Sequence, residues 1–159
     1  MSTSWTHFPS PIGLLRAEAS ALGLVRVRLV GAPADEVTGP GRAHLEAFLD
    51  FAERYFAGQP VRYAGALDLE RATPQQARLW RYVQGIPYGR TQSYAQVGRA
   101  VGLHPRAVGA GMRACPFLLV VPAHRVIHAD GRVGGFAGHE GVKAWLLRFE
   151  QASRPSGTS

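Results

Sequence analysis

One cysteine and one lysine stand among the 159 residues of this chain, and each scarcity narrows what the protein can be. A single thiol, Cys115, excludes an internal disulfide and any zinc site built from several cysteines. The six histidines have no spacing typical of metal ligands, so no cofactor is expected. No apolar run approaches the roughly 18 residues that cross a bilayer. The start, Met1 to His7, lacks the basic-then-apolar pattern of a secretory signal. A cytoplasmic protein without a membrane partner is expected. Acidic residues are scarce in one half only. Residues 1–70 carry six basic and eight acidic side chains, whereas residues 71–159 carry twelve and three, a balance of −2 against +9. So basic a second half points to a polyanionic partner.

The scarcity of lysine is a weaker guide. All but one of the 18 basic residues are arginine, Lys143 being the exception. Arginine suits bidentate phosphate contacts, but an Arg-rich, Ala-rich composition follows equally from a GC-rich genome.

What is present is ordinary globular chemistry, 46% apolar, in a chain long enough for one compact domain or two small lobes. Residues 12–30 read as a hairpin with a turn near Ser20. Val25, Val27 and Leu29 alternate with Arg26 and Arg28, the period of a half-buried strand. After a loop over 31–41, a helix is expected over 42–57, with Leu45, Phe48, Phe51, Ala52, Tyr55 and Phe56 on one face and Gly58 as its stop. The charge balance changes near Glu70, which divides an N-terminal α/β lobe, 1–70, from a second lobe, 71–150. Residues 151–159 are polar and expected to be a disordered tail.

In the second lobe, Thr73-Pro74 opens a helix to about Gln84 that buries Ala77, Leu79, Trp80 and Val83. Ser93 caps a short helix over 94–101, Gly102-Leu-His-Pro breaks the chain, and a further helix covers about 105–113. Two short helices around a glycine-containing turn are a helix-turn-helix pattern, which binds nucleic acid in only some of the proteins that have it. Along the second of them Ala107, Ala110, Gly111 and Ala114 fall on one nearly bare face. Such a face serves close helix packing or approach of the backbone to a narrow groove, with Arg106 and Arg113 supplying charge. A buried run, Phe117 to Val121, leads into Pro122-Ala-His-Arg-Val126. The glycine-rich loop Gly134-Gly-Phe-Ala-Gly138 precedes a last helix over about 139–150, with Val142, Trp145, Leu146 and Phe149 on one face.

Pro122-Ala-His-Arg-Val126 resembles the Pro-Cys-His-Arg-Val signature of the O6-alkylguanine-DNA alkyltransferases. Arg106-Ala-Val-Gly-Ala-Gly-Met-Arg113 is similar to that family's arginine-finger helix, at the family's distance from the signature. Gly134–Gly138 and Val142–Glu150 match its glycine loop and final helix, and Ser10-Pro-Ile-Gly13 with the hairpin fits its N-terminal lobe. The resemblance is dense over 73–150 and looser before.

It implies an α+β alkyltransferase fold, a small β-sheet plus helix lobe followed by a mostly helical lobe with a helix-turn-helix. It also implies a partner, double-stranded DNA carrying O6-alkylguanine, bound in the minor groove by a monomer with the damaged base flipped into a pocket. Onto this chain it transfers a DNA-binding set of Tyr94, Arg106, Ala107, Ala110, Gly111, Arg113 and Arg125, with Arg125 also expected to anchor the local turn. The implied lesion pocket is Tyr94, Pro122, Ala123, Val126, Gly134, Phe136, Ala137 and Gly138. In the family a cysteine thiolate takes the alkyl group, activated by a histidine that a glutamate orients. His124 and Glu150 match those two residues, but Ala123 stands in the cysteine's place. A methyl group can neither attack carbon nor hold the product. No catalytic residue remains, and His124 and Glu150 are vestigial.

Cys115 replaces the family's hinge asparagine and lies eight residues before Ala123, so a small buried hydrophobe is its expected role. Two more departures accompany it. Tyr94 and Arg106 are two residues closer than is usual, and Ala137 stands where the glycine loop often has a hydroxyl. The expected function is non-enzymatic recognition of the lesion, marking it for nucleotide-excision repair proteins. An alkyltransferase with an engineered Cys-to-Ala change at 123 is the alternative. A transcriptional helix-turn-helix module is a third reading, disfavoured by the extent of the match.

Overall fold

The computed structural model describes residues 3–133 and 140–153. They fall into two compact units. The first comprises residues up to Arg71 together with Pro116–Val120; the second comprises Ala72–Cys115 and Val121 onward.

In the first unit β1 (Ser4–Ser10), β2 (Gly13–Ser20) and β3 (Gly23–Val30) form an antiparallel sheet in that order. The hairpin expected over 12–30 is β2 and β3. β1 is an addition, missed because its core-facing positions include Ser4 and Thr6 rather than apolar residues. Both are buried, and both are satisfied: Ser4 Oγ donates to the Pro40 carbonyl (2.8 Å) and Thr6 Oγ1 to Glu36 (2.6 Å). α1 (Arg42–Phe56) packs Leu45, Phe48, Phe51, Ala52 and Tyr55 with the sheet's Leu15, Ala17 and Val27 in one core. Pro116–Val120 returns to this unit. Val27 N–H donates to the Pro116 carbonyl (2.8 Å), and Leu118 N–H to the Val27 carbonyl (3.1 Å).

The second unit is mostly helical: α2 (Pro74–Gln84), α3 (Tyr94–Val101), α4 (Pro105–Ala114) and α5 (Glu140–Ser153). Two short strands, β4 (Gln92–Ser93) and β5 (Val126–Ile127), pair in parallel. The helix starts follow from local chemistry. Thr73 and Ser93 each form a reciprocal capping box with the glutamine three residues on, and Pro74 and Pro105 occupy first-turn positions where no N–H is needed. α5 runs to Ser153, three residues beyond its expected end, so 151–153 are helix rather than tail. Gln151 Nε2 donates to the Gly89 carbonyl (2.8 Å), which gives that extra turn a partner. No described helix is long and apolar enough to cross a membrane.

The shortened helix-turn-helix closes through two glycines. Gly102 ends α3 in the left-handed region (φ 75°), and Leu103 N–H donates back to the Gly98 carbonyl (2.8 Å). Gly98 is required for a different reason. A Cβ there would stand 2.3 Å from the Leu103 carbonyl oxygen, a backbone atom that cannot rotate away. Gly98→Ala is therefore expected to lower unfolding stability by about 1–3 kcal/mol, as overpacking does, measured by urea denaturation.

Candidate nucleic-acid interface

The signature segment is shaped by two tight turns and a short strand. Pro122 has φ −77° and ψ 65°, and Ala123 N–H donates to the Val121 carbonyl (2.7 Å), an inverse γ-turn. One turn of 3₁₀ helix, Ala123–Arg125, follows, and Val126 then enters β5. Since β5 pairs Val126 with Gln92 and Ile127 with Ser93, the segment lies beside the start of α3, where Tyr94 is the first residue. Pro122 and Val126 are buried and Ala123 is half-buried. Four pocket positions expected from sequence, Gly134, Phe136, Ala137 and Gly138, lie outside the described residues.

Glu150 anchors this segment from α5. Its Oε2 accepts from His124 Nε2 (2.5 Å) and Arg125 Nη2 (3.0 Å), and its Oε1 from Arg125 Nε (2.9 Å) and Gly89 N–H (3.0 Å). Arg125 Nη1 donates to the Ile86 carbonyl (2.8 Å), and its guanidinium lies 5.6 Å over the Tyr88 ring. Glu150 is 1% exposed, His124 0% and Arg125 5%. Burial alone would raise the Glu150 carboxyl, but the hydrogen bond from His124 and the hydrogen bonds and charge of Arg125 outweigh it and hold the group well below the carboxylate range. Burial lowers His124, more than its bond to Glu150 raises it. His124 is thus a neutral ring whose Nε2–H faces an ionised carboxylate. That leaves Nδ1 as a bare acceptor, and Nδ1 is buried with no hydrogen-bond partner among the described residues.

Such a cluster makes acid destabilising, and the signs agree. A histidine depressed in the folded state favours folding above its unfolded value, near 6.5, and that contribution is lost as pH falls below it. Glu150, also depressed, adds a loss that begins below the ordinary 4.5. The melting temperature is expected to fall from about pH 6.5 downward, in scanning calorimetry across pH 4–8.

The expected DNA-binding set divides. Arg106, the second residue of α4, is exposed, as are Ala110 and Arg113, while Ala107 is half-buried. Gly111 is turned to α2. Its carbonyl accepts from Trp80 Nε1 (3.0 Å), and a Cβ on it would meet Leu79 Cδ2 at 2.3 Å. At Gly111 the bare face serves helix packing. Arg125 anchors the turn as expected, but its place in the DNA-binding set is corrected: its guanidinium is buried and engaged by Glu150 and the Ile86 carbonyl, which leaves it no donor face for a phosphate.

Sequence reasoning missed Lys143. A lysine on an amphipathic helix reads as solvated, but Lys143 is 1% exposed and shares the inward face of α5 with Leu146 and Glu150. Its Nζ donates to the Val126 carbonyl (2.7 Å) and to Tyr94 Oη (3.3 Å), and stands 5.5 Å from the Tyr94 ring centre. The available signal was its being the chain's one lysine.

A family model described as 6-O-methylguanine DNA methyltransferase, DNA binding domain, matches residues 74–152. A Thermus thermophilus protein named DNA base-flipping protein is 50% identical over 147 residues, covering 91% of this chain and 97% of that protein. The chain belongs to the O6-alkylguanine-DNA alkyltransferase family. Another alkyltransferase relative, a methylated-DNA–protein-cysteine methyltransferase of Mycolicibacterium paratuberculosis, is 36% identical over 92% of each chain. The crystal structure of Mycobacterium tuberculosis OGT in complex with DNA superposes with a TM-score of 0.81 at 31% identity, covering 96% of this chain and 95% of that one. The α+β alkyltransferase fold expected from the sequence is the fold observed. The family binds DNA, in keeping with the basic second half of this chain.

Proposed function

We propose that this alkyltransferase-family protein recognises O6-alkylguanine in duplex DNA without transferring the alkyl group. It would hold the base flipped and mark the site for nucleotide-excision repair. The observation that carries this reading is Ala123, a methyl group in the position the family gives to its nucleophile, next to the intact His124–Glu150 pair. The base-flipping name of the Thermus relative supports it. Exposed Arg106 and Arg113 would meet the minor groove, Arg106 filling the stack that the flipped base vacates. Flipping costs a few kcal/mol, least where alkylation has already weakened pairing, which is itself a source of selectivity.

Retention of the His124–Glu150 pair favours a second reading, an alkyltransferase silenced by an engineered change at 123. The pair has a sufficient structural reason to persist, however, because Glu150 also holds Arg125 and the Gly89 amide. Ala123→Cys tests what the surroundings can do. With O6-methylguanine DNA, a protein mass gain of about 14 Da, one methylene, is expected if His124 can still activate a thiol. No gain would show that departures other than Ala123 also separate the chain from the enzymes.

A further inference from the structure

The first turn of α4 rests on one residue. Pro105 brings no N–H to it, and Arg106 N–H donates to His104 Nδ1 (3.0 Å). The N–H groups of Ala107 (2.9 Å) and Val108 (3.1 Å) both donate to the His104 carbonyl. A helix start with free N–H groups is a ready anion site, but here these three are engaged by His104. What α4 presents at this end is the exposed side chain of Arg106. Elsewhere the helix has few holds. Of its ten residues only Val108 is buried, and Gly111 adds one bond, from Trp80. A helix this short takes its order from packing and caps, so one packed so sparingly leans on its cap.

Histidine is not among the preferred cap residues, which are serine, threonine, asparagine and aspartate. The chain uses the hydroxyls of Thr73 and Ser93 at α2 and α3, where each accepts from the third residue of its helix. His104 accepts from the second, Arg106 itself. A ring that accepts at Nδ1 has its lone pair there and carries no charge. Aspartate would accept the same bond but set a carboxylate two residues from Arg106, where it would repel phosphates.

Resting on the lesion-binding reading above, we infer that His104 is a positioning residue for the Arg106 finger, its ring nitrogen fixing the main chain from which the arginine side chain leaves. Pro105 has its φ locked by its own ring. The bond to His104 holds the peptide plane between Pro105 and Arg106, so the finger has a set direction before DNA arrives. Without that bond the first turn frays, and part of the binding energy goes into ordering it. A group that fills the vacated stack acts on the flipped state, so the loss falls on the damaged duplex.

The test is equilibrium binding of an O6-methylguanine duplex and the matching undamaged duplex at fixed salt, with melting temperatures measured alongside. His104→Ala should bind the damaged duplex about three- to tenfold more weakly, the size of a lost cap, and the undamaged duplex nearly as well as wild type. His104→Asn restores a cap acceptor and should recover most of the loss. In an Arg106→Ala background, His104→Ala should change the damaged-to-undamaged ratio no further. Thr73→Ala removes the cap of α2 instead. It should lower the melting temperature and leave the ratio alone, which separates positioning from a general loss of stability. A wild-type ratio in His104→Ala, His104→Asn as weak as His104→Ala, the full effect persisting without Arg106, or an equal fall of the ratio in Thr73→Ala would each overturn the assignment. A wild type with no preference for the alkylated duplex would instead overturn the lesion reading, and the assignment with it.

Discussion

Glu150→Ala is expected to cost about 3–5 kcal/mol of unfolding stability, the cost of breaking a buried ion pair from one side. The loss is large because of what remains. Arg125, 5% exposed, keeps its charge without a counter-ion, the Gly89 amide loses its acceptor, and the Nε2–H of His124 has nothing to face. Glu150→Gln keeps the shape and one acceptor oxygen, so it should fall between wild type and the alanine variant. Urea unfolding at pH 7 measures both. If Glu150→Ala cost under about 1 kcal/mol, the carboxylate would not be the anchor of the signature turn.

Arg106→Ala is expected to reduce affinity for an O6-methylguanine duplex by about 5- to 150-fold, some 1–3 kcal/mol, with the melting temperature unchanged. The side chain is exposed on the first turn of α4, and no described hydrogen bond or ion pair of the fold uses it; the Arg106 bond to His104 comes from the main chain. Truncation therefore removes only what the arginine does to DNA. A group that fills the vacated stack stabilises the flipped state, so the loss should be greater on damaged than on undamaged duplex. Arg113→Ala should differ in kind. A phosphate contact weakens both duplexes alike and lowers the salt slope by about one. Fluorescence anisotropy at several salt concentrations separates the two, and an equal loss on both duplexes for Arg106→Ala would remove its role as the finger.

How much of this the sequence disclosed depended on whether a residue's surroundings are local. Helix limits were legible because Thr73, Ser93, Pro74, Pro105 and Gly102 act within one turn of themselves, and α1 to α4 lie within a residue or so of expectation. β1 was not legible, since its buried hydroxyls find partners about 30 residues away at Glu36 and Pro40. The nucleophile position was readable by resemblance alone, and so were His124 and Glu150. Arg125 was legible in part and Lys143 was not. The resemblance gave Arg125 both a place in the DNA-binding set and the anchoring of the local turn, of which its burial leaves the second, while Lys143 was passed over. Their burial depends on Glu150, Ile86, Val126 and Tyr94, which come together only when α5 packs on the 3₁₀ turn and β5. The periodicity of α5 suggested an apolar stripe, but its fully buried residues are Lys143, Leu146 and Glu150, two of them charged.

The most direct test of recognition without chemistry follows one sample through both questions. An O6-methylguanine duplex is bound to an excess of wild-type protein, its affinity is compared with the undamaged duplex, and protein and DNA are then separated and weighed. Non-enzymatic recognition predicts tighter binding to the damaged duplex, by about tenfold or more, with the methyl group still on the recovered DNA and the protein mass unchanged. Equal affinity for both duplexes, or a methyl group missing from the DNA and found on the protein, would contradict it.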